Sequence, residues 1–283
     1  ISTERYQDKY YFLFEQTSSF VNSPGLVHVV SGTDVYIGGN SNYPSKIAIY
    51  DTITKTISGI PSNTFNSQVN AMVLSGTNLY VGGTFSSPSY YMKIYNTVTK
   101  TWSNPSTVNH PNFDIYCMAL SGNDIYIGGQ FASAATGNNR ITKYNIPTNT
   151  WSPLGNGLNG FVYSIVVSGN DIYAGGNFTV TGSRIAKWDT TTSTWSSLGY
   201  GLNSTVNCMA LLNDIIYVGG NFTSTGSYVA KWNTTTNTWS SLDTAIVGTG
   251  LNNLVNSMAI SGNVLYIGGS FTSTGSYITK SDI

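Results

Sequence analysis

The side chains best suited to covalent or metal chemistry are few: His28 and His110, Cys117 and Cys208, and 12 Asp plus Glu among 283 residues. The histidines and cysteines form no C-x-x-C, H-x-E or H-E-x-x-H spacing, so no zinc site is expected. His28 stands where other repeats carry a core Met, which predicts an interior or channel-side imidazole, and His110 falls in an irregular loop. Carboxylates recur at Asp34, Asp124, Asp171 and Asp214. A glycosidase needs two carboxyls converging to about 5 to 9.5 Å, but these four sit in equivalent turns of successive repeats. Asp51, Asp189 and Asp282 occupy a second repeated turn position, and Asp114 stands alone in the atypical loop 111–114. The sequence has no Gly-x-Ser-x-Gly elbow, and its Gly-Gly pairs close strands where a phosphate cradle would open a helix. No acid, base, nucleophile and metal set can be assembled, so neither an enzyme nor a cofactor is expected.

Composition narrows the partners. Charged residues make up 8% of the chain, and 12 Lys plus Arg balance 12 Asp plus Glu. Nucleic-acid binding needs a basic stripe that displaces counterions from phosphates, whereas the cations here are scattered singly from Arg5 to Lys280. No apolar run approaches the ~20 residues of a membrane helix, so membrane insertion is not expected either. With 40% hydrophobic and 13% aromatic residues over a Ser, Thr, Asn and Gly background, the chain has the composition of short strands and tight turns.

A repeat places all these residues. The tetrad Tyr-x-Gly-Gly occurs at Tyr36, Tyr80, Tyr126, Tyr173, Tyr217 and Tyr266, at intervals of 44, 46, 47, 44 and 49 residues. Around Tyr217, apolar runs at Val206–Leu211, Ile215–Gly219, Tyr228–Trp232 and Thr238–Leu242 alternate with turn residues, which predicts four antiparallel strands per unit. No window shows a sustained 3.6-residue period, so almost no helix is expected. One such sheet cannot bury both faces, but six around an axis can. The expected fold is therefore all-β: a single six-bladed β-propeller over residues 1–283, with repeats from about residue 21. Unit six stops after its third strand. The apolar segment Lys9–Gln16 is in register with the missing fourth one, so residues 1–20 are expected to complete blade six and close the ring. Cys117 and Cys208 precede the Met of units three and five, too far apart on a ring for a disulfide, and are expected to be buried free thiols.

The double glycine followed by an aromatic and, seven residues later, a tryptophan resembles the Kelch repeat. The pairs are Tyr95 with Trp102, Tyr144 with Trp151, Trp188 with Trp195, and Trp232 with Trp239. Ile57 and Ser281 depart from the pattern in units one and six. The phrase Gly-Gly-Asn-Phe-Thr at Gly175 and Gly219 is similar to propeller repeats of microbial and viral surface proteins. In physical terms, glycines let a ring from an adjacent strand or blade approach the backbone, and the aromatic pair fills the wedge between blades. Kelch blades also carry copper-radical oxidases, but nothing marks His28 and His110 for that chemistry.

Strand alternation puts the links from second to third strand, and from each blade to the next, on one face. These links vary while the opposite set is nearly uniform, so the variable face is the expected binding face. Two rings of positions break the uniformity there. One comprises Lys46, Tyr91, Arg140, Arg184, Tyr228 and Tyr277, four residues before the first aromatic position. The other comprises Asn70, Tyr116, Tyr163, Asn207 and Asn256, two residues before the core Met, and is expected to edge the central channel. Tyr, Asn and Arg suit glycan hydroxyls and protein surfaces alike, although strand-end residues wetted by solvent would look the same.

Sequons at Asn177, Asn203, Asn221 and Asn233 fit an extracellular, cell-surface or virion-surface protein. The expected function is a surface-displayed interaction module binding protein or glycan. The alternative is an architectural component assembled into a virion, fibre or envelope, and the third reading is an enzyme. Removing residues 1–20 is expected to lower the melting temperature of the whole domain; an unchanged temperature would contradict the proposed closure.

Overall fold

The runs around Tyr217 become strands Val206–Leu212, Ile215–Gly220, Val229–Asn233 and Thr238–Ser241, paired antiparallel in that order. This is the arrangement in a computed structural model of the chain, which describes residues 27–40, 46–60, 65–86, 91–132, 139–179, 183–242, 251–273 and 278–283. The same four-strand order recurs in blades one to five, while blade six shows Val255–Ser261, Val264–Gly269 and Ile278–Asp282. The first strands of successive blades lie side by side from blade one to blade six. The chain is an all-β, six-bladed propeller, with no helix among the described residues. The expected closing strand, with its lead-in at residues 1–20, lies outside the described residues.

The two glycines of the tetrad do different work. The first admits the next blade: a methyl group on Gly175 would stand 2.5 Å from Val206 Cγ1, and one on Gly219 would stand 2.6 Å from Val255 Cγ1. The sequence had suggested aromatic rings close to the glycines; at the first glycine the neighbours are Val or Ile of the next blade, with a Met at Gly38, Gly82, Gly175 and Gly219, whereas rings do approach the second, Phe85 at Gly83 and Phe271 at Gly269. The second glycine lies against a carbonyl of its own blade, Asp114 O for Gly129 and Phe161 O for Gly176. That carbonyl accepts the N–H of the following residue, from Gln130 at 2.9 Å and Asn177 at 3.0 Å.

One residue further on, Phe85, Phe131, Phe178, Phe222 and Phe271 are at most 1% exposed. The paired aromatics fill the wedge as expected, with ring centroids 4.8 to 5.3 Å apart. Three of the outer tryptophans also donate Nε1–H to the preceding blade: Trp151 to Ser106 O, Trp195 to Leu154 O and Trp239 to Leu198 O, at 2.8 to 2.9 Å. On the outer rim, Asp51, Asn96, Asp189 and Asn233 each accept two backbone N–H groups from the turn that follows. Threonine hydroxyls pair across the same turns, for example Thr192 with Thr194 and Thr236 with Thr238 at 2.8 Å.

Blade six differs. Among the described residues a methyl on Gly268 would meet only Ser257 of its own strand pair, and Asn256, Ser257 and Ala259 are exposed. Gly175→Ala is therefore expected to cost about 1–3 kcal/mol in urea unfolding through overpacking. Gly268→Ala, with only a rotatable hydroxyl beside it, is expected to cost less than about 0.5 kcal/mol; equal losses would contradict this account of the interface.

Candidate functional site

The channel-edge ring has a backbone origin that the sequence did not reveal. In blades two to six the first strand carries one residue more than its partner: in blade three Gly129 pairs with Ile115 and Gly128 with Cys117, which leaves Tyr116 as a β-bulge. The same shift isolates Asn70, Tyr163, Asn207 and Asn256. A bulge re-aims the extra side chain, and four of these five converge with Gln68 and Thr84 on one cavity of about 360 Å³. Asn256, in blade six, is exposed and does not line it.

Their roles differ. Asn70 donates Nδ2–H to Ile115 O at 2.9 Å and Asn207 to Val255 O at 2.8 Å, so each ties its blade to the next. Tyr116 and Tyr163 present rings to the cavity, stacked at 5.6 Å and 28°. The Tyr116 hydroxyl donates to Gln130 Oε1 at 2.6 Å. Asn177 Nδ2 reaches the Tyr163 hydroxyl at 3.4 Å while its Oδ1 accepts the Phe161 N–H at 2.6 Å. Burial, then the charges of Asp114 and Tyr163, raise the Tyr116 phenol above its usual range, with Arg140 opposing; burial alone raises Tyr163. Both are neutral donors at physiological pH.

The second ring has a repeated structural task. Lys46, Arg140, Arg184 and Tyr228 take left-handed backbone conformations, φ 56°, 65°, 76° and 69°. Their carbonyls accept the N–H of the second tetrad glycine, as does that of Tyr91, and this closes the link between second and third strands. Such a φ is uncommon for a bulky residue, and nothing in the sequence marks it. Tyr277 lies outside the described residues. Within this ring Tyr91 stacks on Phe113 at 5.9 Å and Arg140 lies over Phe161, its guanidinium carbon 5.1 Å from the ring centre. A second cavity of about 330 Å³ opens there, lined by Asn112, Phe113, Gln130, Ala132, Arg140 and Phe161.

Gln68, Thr84, Phe113, Gln130 and Phe161 were not singled out from the sequence. The available signal was positional: each flanks a first strand or follows a Gly-Gly pair. Also unmarked was a ring of asparagines at 66, 112, 159, 203 and 252, whose Oδ1 atoms accept the N–H three residues beyond the glycine pair.

The remaining candidates are occupied in the structure. Lys143 pairs with Asp124 and Lys187 with Asp171, each at 3.1 Å. His28, expected to be interior or channel-side, is exposed on the first strand of blade one. His110 Nδ1 lies 2.6 Å from Pro111 O in a loop. No group of three His, Cys, Asp or Glu placed to hold a metal occurs among the described residues. Among the sequons, Asn177, Asn203 and Asn233 have hydrogen-bonded side chains, whereas Asn221 is exposed.

Residues 110–214 match the family model described as the Rax2 C-terminal β-propeller domain. No curated relative matches the chain. Among solved structures, the chain is similar to the extracellular domain of a putative hybrid two-component system, BT4673 of B. thetaiotaomicron. The TM-score is 0.64 at 17% identity, covering 90% of this chain and 32% of that one. The same protein described as a putative one-component system gives 0.60 at 19% identity, covering 88% and 31%. The computationally designed Ika8 protein gives 0.57 at 18% identity, covering 86% and 67%. The chain thus spans about a third of the length of the BT4673 domains it matches, and these likenesses concern the fold.

Cys117 and Cys208 are free, and their thiols lie against the first tetrad glycine of their own blades. Burial pushes Cys208 up to about 12 and Cys117 higher still. Since the thiolate is the nucleophile, a disulfide reagent at pH 8 is expected to leave both unmodified in the native protein and to titrate both in denaturant. Fast native labelling would show that the blades open readily.

Proposed function

We propose that the chain is a non-enzymatic binding module that takes its ligand, a glycan or a protein, at the channel mouth on the face carrying the variable links. The supporting observation is the cavity built by bulged residues of four blades, where the Tyr116 and Tyr163 rings stand among Gln68, Thr84 and the Asn amides. Aromatic faces beside amides and hydroxyls give apolar stacking and directed hydrogen bonds together, the combination that binds pyranose rings and protein surface alike. Among the described residues no carboxylate lines this cavity. The double-glycine and paired-aromatic spacing keeps a Kelch-like repeat within the proposal. Display on a cell or particle surface belongs to it too, supported by the likeness to the extracellular BT4673 domains. A nucleic-acid ligand is outside it, given 12 dispersed cations and zero net charge.

An architectural role in a larger particle is the second reading, favoured by the 8% charge content, since faces of hydroxyls and amides pack without burying ions. Sedimentation of the pure protein as large assemblies would move the weight there.

The binding reading is tested on a broad glycan panel with wild type and Tyr163→Ala, their melting temperatures compared as a fold control. Millimolar or tighter binding, weakened about tenfold or more by the substitution, is expected. A silent panel would remove the glycan from the proposal.

A further inference from the structure

Arg140 and Arg184 hold equivalent positions in blades three and four, and what surrounds them differs. Both are left-handed, both donate their backbone N–H to the carbonyl of the buried Phe131 or Phe178 at 2.8 Å, and both direct Nη1 to the carbonyl one residue earlier, Gln130 or Asn177. Only at Arg140 does the next blade begin with a ring: Phe161 lies under its guanidinium, where Thr205 stands at the corresponding place beyond Arg184. Phe113 likewise stands where the following repeat has Gly160. These two phenylalanines wall the cavity of about 330 Å³.

The guanidinium is oriented without being neutralised. One donor is held by the Gln130 carbonyl and its face by Phe161, which leaves further N–H donors of the five. Neither ion pair among the described residues involves Arg140. A fixed guanidinium fork matches a carboxylate, and the flanking rings suit an apolar C–H face. Gln130 Oε1 accepts the Tyr116 hydroxyl, so its amide N–H donors remain for a ligand. Through that bond the cleft shares a wall with the channel mouth, Tyr116 lining one cavity and Gln130 the other.

Resting on the binding role assigned above, we propose that this cleft is a subsite for the carboxylate of an acidic sugar in a glycan bound at the channel mouth. Methyl glucuronoside and methyl glucoside, which differ in that carboxylate, are titrated against the whole chain by ligand-observed NMR, with acetate and inorganic phosphate as competitors. The glucuronoside is expected to bind on the order of tenfold more tightly. Arg140→Gln should abolish the preference and Arg184→Gln should preserve it, with melting temperatures confirming that both variants fold. Equal affinity for the two glycosides, or equal loss in both variants, would overturn the subsite. Acetate or phosphate competing as well as the glucuronoside would reduce it to a general anion site and overturn the sugar assignment. Tyr163-dependent binding of neutral glycans without an acidic preference would sink this inference alone, whereas silence from every glycan would sink the binding role with it.

Discussion

Everything in this propeller depends on how closely one blade lies against the next. At the first tetrad glycine the neighbouring strand approaches until no Cβ fits, and a Val or Ile with the core Met fills the space. Dispersion falls steeply with distance, so an interface this close gains contacts that a side chain there would forfeit. Because blades one to five each make this contact with the next blade, burial is shared along the ring and no sheet has a sufficient core of its own. Among the described residues blade six shows the converse: no next-blade side chain meets Gly268, and Asn256, Ser257 and Ala259 of its first strand are exposed.

The same closeness creates the site. The second glycine lies on the carbonyl preceding its own first strand, and the register slips by one residue beside it, so the packing device and the bulge are one local structure. Repetition therefore delivers a ring of side chains to the channel mouth whatever those side chains are. At Asn70 and Asn207 the amide binds the next blade; where the ring carries Tyr, in blades three and four, the aromatic side chains gather with Phe113, Phe161 and Arg140 into one sector. The scaffold is six-fold in plan, and this aromatic cluster is confined to one side.

What could be read from the sequence follows from this division. The tetrad and the strand runs recur in all six repeats and the aromatic pairs in four, and so they showed as periodicity. The bulge leaves no trace in composition: Tyr116 and Asn70 read as strand residues, and only pairing shows that they are extra. Left-handed backbone at Arg140 and Arg184 was equally hidden, since glycine, the usual marker of that conformation, is absent there. Phe161 was missed because its importance lies in contact with Arg140 of the preceding repeat, and a comparison of aligned repeats does not look across the interface. A ring at the first glycine was expected on general grounds, and the aliphatic neighbour won because a β-branched side chain on a flat strand fills a narrower gap.

The outer rim carries a different consequence. Its turns are built from threonine hydroxyl pairs and Asx bonds, groups that neither titrate near neutrality nor gather counterions. Two of its carboxylates, Asp51 and Asp189, are held below their usual range by backbone donors and stay ionised in mild acid. The carboxylates of these turns thus carry the same charge in a mildly acidified medium as at neutrality.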